Sequence, residues 1–291
     1  MQITVIVATL GRRKEADDLV QDLANQTRRP DRSIFAVTTE ADAPDRHPEI
    51  DNETLICATK GLCAQRNAGI AQAIDSSDVI VFFDDDFVPH PTYLARLEAA
   101  FAKSEDVVGI TGLVVADGVC GPGLSRQQAV TAIDAHAASF PTGIPRETEV
   151  FGLYGCNMAM RTSALKTKRF DERLPLYGWL EDLDLTNRLL EEGRLIKLDR
   201  LIGAHRGVKA GRVSGIRLGY SQIANASYLL AKGTTTRSQL FGHLVKYPMI
   251  NAVRSLKPEP FVDRRGRLRG NLIGLVDLAR GKSKPERILE L

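Results

Sequence analysis

The chain reads as an α/β protein built on a mostly parallel sheet, and three observations carry that reading. Through the first half, apolar β-branched segments alternate with amphipathic helical ones, which is the pattern of βα units that lay strands side by side under covering helices. The run Val79-Ile80-Val81-Phe82-Phe83 is apolar at every position, as a strand buried on both faces has to be. Three aspartates, Asp84-Asp85-Asp86, follow it directly, at the carboxyl edge where open α/β sheets bind ligands.

The opening strand is Ile3 to Thr9, and Lys14 to Gln26 is an amphipathic helix. Ser33-Ile34-Phe35-Ala36-Val37 gives a second strand, Thr54-Leu55-Ile56 a short third, and a helix runs from about Gly61 to Ile74. After the Val79–Phe83 strand come a helix from Thr92 to Lys103 and a strand from Val107 to Val115. Gly118 to Gly123 is a turn cluster that ends the alternation, and a loop-bearing excursion is expected from there to Pro145. Order returns over Phe151 to Met160. A helix follows from Glu181 to Glu192, with Gly193 as its expected positive-φ cap, and Arg194 to Leu198 is a further strand. Beyond His205 the segments turn basic and helical. Leu268, Leu272, Leu275, Val276 and Ala279 share one helical face, and Leu240, Phe241, Leu244 and Val245 form another stripe.

The 291 residues and 43% hydrophobic content support a sizeable core. No apolar run approaches the ~20 residues of a membrane span, and the N-terminus shows no signal sequence. A cytoplasmic protein is therefore expected. Cys57, Cys63, Cys120 and Cys156 lack CxxC or metal-ligand spacing, so they are expected as reduced thiols. Charge is unevenly divided. Residues 1–199 carry 21 Lys/Arg against 31 Asp/Glu, a balance of −10, whereas residues 200–291 carry 18 against 5, a balance of +13. A basic final third on an acidic body points to an anionic partner. Sparse aromatics among its cations argue against nucleic acid.

Three adjacent carboxylates repel unless a cation or a set of donors lies among them, and a hard divalent metal holding substrate phosphates answers that need; a solvated acidic turn is the alternative. Glu181-Asp182 opens a helix, where the dipole stabilises an anion, so Asp182 reads either as a general base or as a helix-terminal charge. Trp179, the single Trp, suits stacking on a sugar or a place in the core. His205 ends a strand beside Arg206, Lys209 and Arg212. The histidine suits metal or phosphate contact, and the cations suit a diphosphate or solvent.

In order and spacing these segments resemble the inverting glycosyltransferases of family 2. The resemblance is carried by Thr9, Lys60 to Gly69, Phe83-Asp84-Asp85-Asp86 with Pro91 beyond it, Gly155 to Arg161, Phe170-Asp171-Glu172, Gly178 to Leu185, and His205. It covers about residues 1–206 and implies a GT-A, Rossmann-like fold. The implied catalytic domain spans 1–215, with a nucleotide-sugar half to about 117 and an acceptor half over 118–215, and residues 216–291 form a basic, amphipathic helical extension.

The resemblance further implies site roles. Thr9, Glu40 or Asp42, and Arg66 would contact the nucleotide. Asp86 would bind Mn²⁺ or Mg²⁺, with Asp84 or Asp85 on ribose or metal and His205 completing the metal site. Asp182 would be the base, and Asn157, Trp179 and Glu181 would face the acceptor. Arg206, Lys209 and Arg212 are the candidate diphosphate cations. A QxxRW element is absent, which favours transfer of one sugar, from a UDP-sugar first, to a glycan or lipid-linked acceptor. The basic region suits peripheral attachment to an anionic inner leaflet or packing on the catalytic domain. A sugar-nucleotide nucleotidyltransferase and a non-catalytic nucleotide-sugar binder are the alternatives.

Overall fold

Every residue from Ile3 to Val7 is buried, so the first strand, β1 (Ile3–Ala8), has no solvent face. Such a strand belongs inside a sheet covered on both sides. The computed structural model describes residues 1–140, 146–211 and 213–291. After β1 come α1 (Arg13–Ala24), β2 (Arg32–Val37), β3 (Asn52–Ile56), α2 (Leu62–Ala73), β4 (Val79–Asp84), β5 (Phe87–Pro89), α3 (Tyr93–Lys103), β6 (Val107–Asp117), α4 (Arg126–Ala138), β7 (Glu147–Glu149) and β8 (Asn157–Arg161). Then follow α5 (Thr162–Leu165), α6 (Glu181–Leu189), β9 (Arg194–His205), α7 (Gly215–Lys232), α8 (Arg237–Phe241), α9 (Tyr247–Arg254) and α10 (Arg264–Ala279).

The chain divides into two compact units. The first comprises Met1–Thr59, Ala64–Arg169 and Leu189–Gly211, and holds the whole sheet. Strand order is β3-β2-β1-β4-β8-β6-β9-β5, with β7 paired to β9. β1 to β4 run parallel, as do β6 and β9, while β8, β5 and β7 enter antiparallel. Leu19, Val20 and Leu23 of α1 and Leu94, Leu97 and Phe101 of α3 pack into the main core. Phe83 stacks on Phe87 at 5.0 Å, and Tyr93 meets both edge-on at 5.2 and 5.9 Å. The acidic triplet is thus a short turn whose two flanking rings are anchored in the core, which fixes where its carboxylates emerge.

Two local expectations change. The excursion from Gly118 to Pro145 contains a helix, α4. Ser125 caps it: the hydroxyl accepts from Gln128 N at 3.2 Å, and Gln128 Oε1 accepts from Ser125 N at 2.9 Å. Only Ala129 and Ile133 of that helix are buried, too few for apolar periodicity to reveal, so the S-x-x-Q capping box was its real signature. Residues 141–145 lie outside the described residues. The helix expected to reach Glu192 stops at Leu189, and Gly193 is not in the left-handed region. Glycine is required there for space, since a Cβ would lie 2.4 Å from the Asp106 carbonyl oxygen.

The second unit comprises Lys60–Cys63, Phe170–Arg188 and Arg212–Leu291. Here the expected apolar face of α10 is overturned. Leu272, Leu275, Val276 and Ala279 are exposed, while Gly270, Asn271, Gly274 and Asp277 are buried. The cause is backbone contact between α7 and α10. A Cβ on Gly219 would lie 2.0 Å from Arg267 O, and one on Gly270 2.1 Å from Ile216 O, so only a face without side chains fits the contact. Buried amides complete it: Asn251 Nδ2 donates to Gln222 Oε1 at 3.0 Å and to Asn271 Oδ1 at 2.9 Å. Of the other expected stripe only Leu240 is buried, and Phe241 and Val245 are exposed. Among the described residues no helix is long and apolar enough to cross a membrane. Cys57, Cys63 and Cys156 are buried free thiols, and Cys120 is an exposed one.

Candidate active site

In the first unit β4 ends on Asp84, the β4–β5 turn presents Asp85 and Asp86, and β9 delivers His205 opposite them, through the register pair Phe87 with His205. His205 Nε2 lies 3.2 Å from Asp86 Oδ1 and 3.8 Å from Asp84 Oδ2. Asp84, Asp86 and His205 each offer one ligand atom, all within 4.8 Å of one another. Two hard oxygens and one imidazole nitrogen suit a divalent cation. The fit is supported by Asp86 Oδ1, which is buried and has no well-aligned hydrogen bond.

The electrostatics call for positive charge at this place. Burial lowers the His205 pKa, yet the carboxylates of Asp117, Asp86 and Asp84 outweigh it and raise the value to about 10. Burial raises that of Asp86, but His205, Arg12 and the Val208 N–H at 2.7 Å bring it down to about 2. Asp85 is pushed up to about 7 by burial, which Arg12 opposes and neighbouring Asp86 reinforces. The carboxylates that raise the pKa of so buried an imidazole favour positive charge at this place, and a metal would compete with the proton for His205.

Other expected residues have definite places. Thr9, at the end of β1, donates its hydroxyl hydrogen to Asp85 Oδ2 at 2.7 Å. Arg66, on α2 and 1% exposed, donates from Nη2 to Asp84 Oδ1 at 2.9 Å and to Gly155 O at 2.8 Å. Glu40 and Asp42 lie in a one-turn 3-10 segment after β2, and Asp42 Oδ1 accepts from Gly11 N at 2.8 Å. Asn157 is fully buried beside Phe83 in the sheet, its Oδ1 accepting from the Thr111 hydroxyl at 2.8 Å. Arg206 turns to α1, with Nη1 at 3.1 Å from Asp18 Oδ2, and Lys209 Nζ donates to the carbonyls of Gly118 and Val119 at 3.0 Å. Arg212 lies outside the described residues.

Two participants escaped the sequence reading. Arg12 donates from Nη1 to Asp85 Oδ1 at 2.8 Å, while its Nε and Nη2 donate to the carbonyls of Ala210 and Val208. It therefore ties the segment after His205 to the acidic turn. Asp117, at the end of β6, holds Oδ1 3.3 Å from His205 Nδ1 and accepts from the Tyr154 hydroxyl at 2.8 Å; such partners orient a ligating imidazole. A cation directly after the first strand was the available signal for Arg12. Asp117 had none, since only the β6–β9 pairing brings it to His205.

In the second unit Leu176, Gly178 and Leu180 all have positive φ, of 58°, 65° and 74°. Left-handed leucines are strained, and such strain collects at functional sites. The strained turn carries Trp179 and leads into Glu181 and Asp182 at the start of α6. Glu181 is buried, and Asp182 is partly exposed with Oδ1 accepting from Leu183 N at 2.8 Å. The helix is pinned two residues on. Asp184, fully buried, accepts from Lys232 Nζ at 2.9 Å, Arg188 Nη2 at 2.9 Å and the Thr234 hydroxyl at 2.6 Å. Trp179 packs against Tyr177, His243 and Tyr247, with ring centroids 6.2, 5.7 and 5.9 Å away.

Known structures share this architecture. S. aureus TarS superposes with a TM-score of 0.51 at 19% identity, covering 100% of this chain and 55% of TarS, so the chain spans about half the length of that protein. The TarS fragment 1–349 with UDP-GlcNAc gives 0.56 at 16% identity, covering 99% and 83% of the two chains. The mannosyltransferase PcManGT of Pyrobaculum calidifontis, in complex with GDP-Man and Mn²⁺, gives 0.57 at 13% identity, covering 99% and 85%. The fold is GT-A. No curated protein sequence matches the chain. The family model for glycosyl transferase family 2 matches residues 4–168, more than half of the sequence, and the chain belongs to that family.

Proposed function

We propose that the protein is an inverting glycosyltransferase that moves one sugar from a nucleotide-diphosphate sugar, a UDP-sugar first, to a hydroxyl of a lipid-linked or cell-surface polysaccharide intermediate. The observation that carries this reading is the convergence of Asp84, Asp86 and His205 at the carboxyl edge of the sheet, in a chain of this family. The nucleotide sugars and manganese held by PcManGT and TarS 1–349 lend it support.

Asp84, Asp86 and His205 would hold Mn²⁺ or Mg²⁺, which when bound supplies positive charge to the departing diphosphate. Thr9 and Arg66 brace Asp85 and Asp84 and border the nucleotide, and Glu40 or Asp42 receives the nucleoside. Arg206, Lys209 and Arg212 are the proposed diphosphate cations; the first two are engaged within the protein, so binding requires those contacts to exchange. Asp182 accepts the acceptor hydroxyl proton as the new C–O bond forms and the bond to the diphosphate breaks, which inverts the anomeric centre. Trp179, Glu181 and Asn157 are the residues proposed for the acceptor. Such a reaction belongs on the cytoplasmic face of a membrane, with the basic helices at the lipid.

The test is thermal stabilisation by UDP-, GDP- and dTDP-sugars with and without Mn²⁺, followed by transfer assays on Asp182→Asn. A ligand bound only by the folded state raises apparent stability. One nucleotide should stabilise the protein in a metal-dependent way, and the variant should keep that shift while losing turnover by about a hundredfold or more. Wild-type turnover in Asp182→Asn would remove Asp182 as base, and no shift with any donor would remove the transferase reading.

A further inference from the structure

The second unit has a buried cluster around Tyr220, Ala224 and Ile288, yet carries several large apolar side chains on the outside. Phe241, Met249, Val253 and Leu256 are 65, 62, 68 and 85% exposed. Phe241, Val245, Met249 and Val253 recur every four residues along α8, the π-helical turn Gly242–Lys246 and α9, so they form a stripe. Together with Lys246 and Arg254 they line an open concavity of about 550 Å³. Inside the same unit, α7 and α10 meet through Gly219, Gly270 and Gly274, and Asn251, Asn271 and Gln222 are buried with their amides bonded together. Small and polar residues at the helix contacts with apolar ones outside is the arrangement of helices whose outer neighbour is lipid. No described helix is long and apolar enough to cross a bilayer; an amphipathic stripe of this kind suits a position in the plane of the interface.

Charge selects the lipid. From Arg200 to Pro258 the sequence has no Asp or Glu. Of the carboxylates beyond it, Glu259 is paired with Arg254 and Arg264, Asp277 with Arg287 and Glu286 with Arg173. Lys246 and Lys257 are exposed, and among the described residues no carboxylate pairs with either. A second copy docked stripe to stripe about a two-fold axis would bring these cations together without counter-charge, whereas anionic headgroups would neutralise them.

We propose that the segment Phe241–Leu256 lies in the interface of an anionic phospholipid membrane, with Phe241, Met249, Val253 and Leu256 among the acyl chains and Lys246 and Lys257 on the headgroups. This rests on the lipid-linked-acceptor reading and sharpens it. The segment also carries His243 and Tyr247, whose rings pack on Trp179, so the membrane-facing helix touches a residue assigned to the acceptor.

The experiment is co-sedimentation of the full chain with phosphatidylcholine vesicles, with and without phosphatidylglycerol, alongside light scattering for molar mass. Binding should need phosphatidylglycerol and weaken at high salt. It should fall about tenfold or more in Met249→Glu/Val253→Glu and about tenfold in Lys246→Glu/Lys257→Glu, with melting temperatures unchanged because all four side chains are exposed. Equal binding to neutral vesicles, no binding to either, or a dimer that Met249→Glu/Val253→Glu dissociates would each overturn the proposal. Neither donor nor acceptor is present, so its failure leaves sugar transfer standing, and vesicle binding without any donor-induced stabilisation would sink the transferase reading alone.

Discussion

In the first unit, Leu19 and Leu23 of α1 and Leu97 and Phe101 of α3 fill the space over the sheet with apolar side chains. In the second, α7 and α10 touch backbone to backbone at Gly219 and Gly270, while Leu272 and Leu275 point outward. The difference shows when hydrophobic periodicity can be trusted. It names the buried face where side chains set the distance between elements, and fails where glycines let backbones meet. Charge divides the same way. The carboxylates of the first unit are met by Arg12, Arg66 and His205, whereas Lys246 and Lys257 of the second have no carboxylate partner among the described residues.

The comparison can be broken most forcefully at the carboxylates. Asp86→Ala and His205→Ala should each lower transfer about a thousandfold, on the order of 4 kcal/mol in the barrier, and abolish Mn²⁺-dependent nucleotide binding in a titration; unchanged binding would remove the triad from the site. Next is the glycine contact. Gly270→Val should destabilise the protein by about 3 kcal/mol, because its Cβ meets backbone with no room to shift, and denaturant unfolding reads this directly.

A pH series sharpens the electrostatic half. The His205 pKa is raised to about 10, so without metal its stabilising contribution is full below about 6.5 and disappears as pH rises through about 10. Asp86 is lowered to about 2; its contribution is present above about 3.9 and disappears as pH falls through about 2. A metal needs the imidazole neutral, so Mn²⁺ affinity should climb by up to about tenfold per pH unit below the His205 value. A pH-independent affinity, measured calorimetrically, would exclude His205 as a ligand. The smallest effect is expected on the outer face of α10, where Leu272→Ser should change stability by less than about 0.5 kcal/mol. A loss of 2 kcal/mol or more would restore that face to the core.

The sequence itself determined the βα alternation, the buried β4 strand and the aspartates at its end, since each rests on contiguous residues whose period or composition is enough. Ser125-x-x-Gln128 was equally local but masked by weak apolar contrast in α4. The pairing of β5 and β6 with β9, which sets His205 against Asp86 and Asp117, was decided only in three dimensions. So was the reach of Arg12 to Asp85 and to the carbonyls of Val208 and Ala210. Likewise, which face α10 hides depends on glycines that carry no hydrophobic signal and become informative only when a second helix lies against them. Local periodicity encodes what a segment is. The partner across a sheet or a helix contact is fixed by register and distance, which arise only when the whole chain has packed.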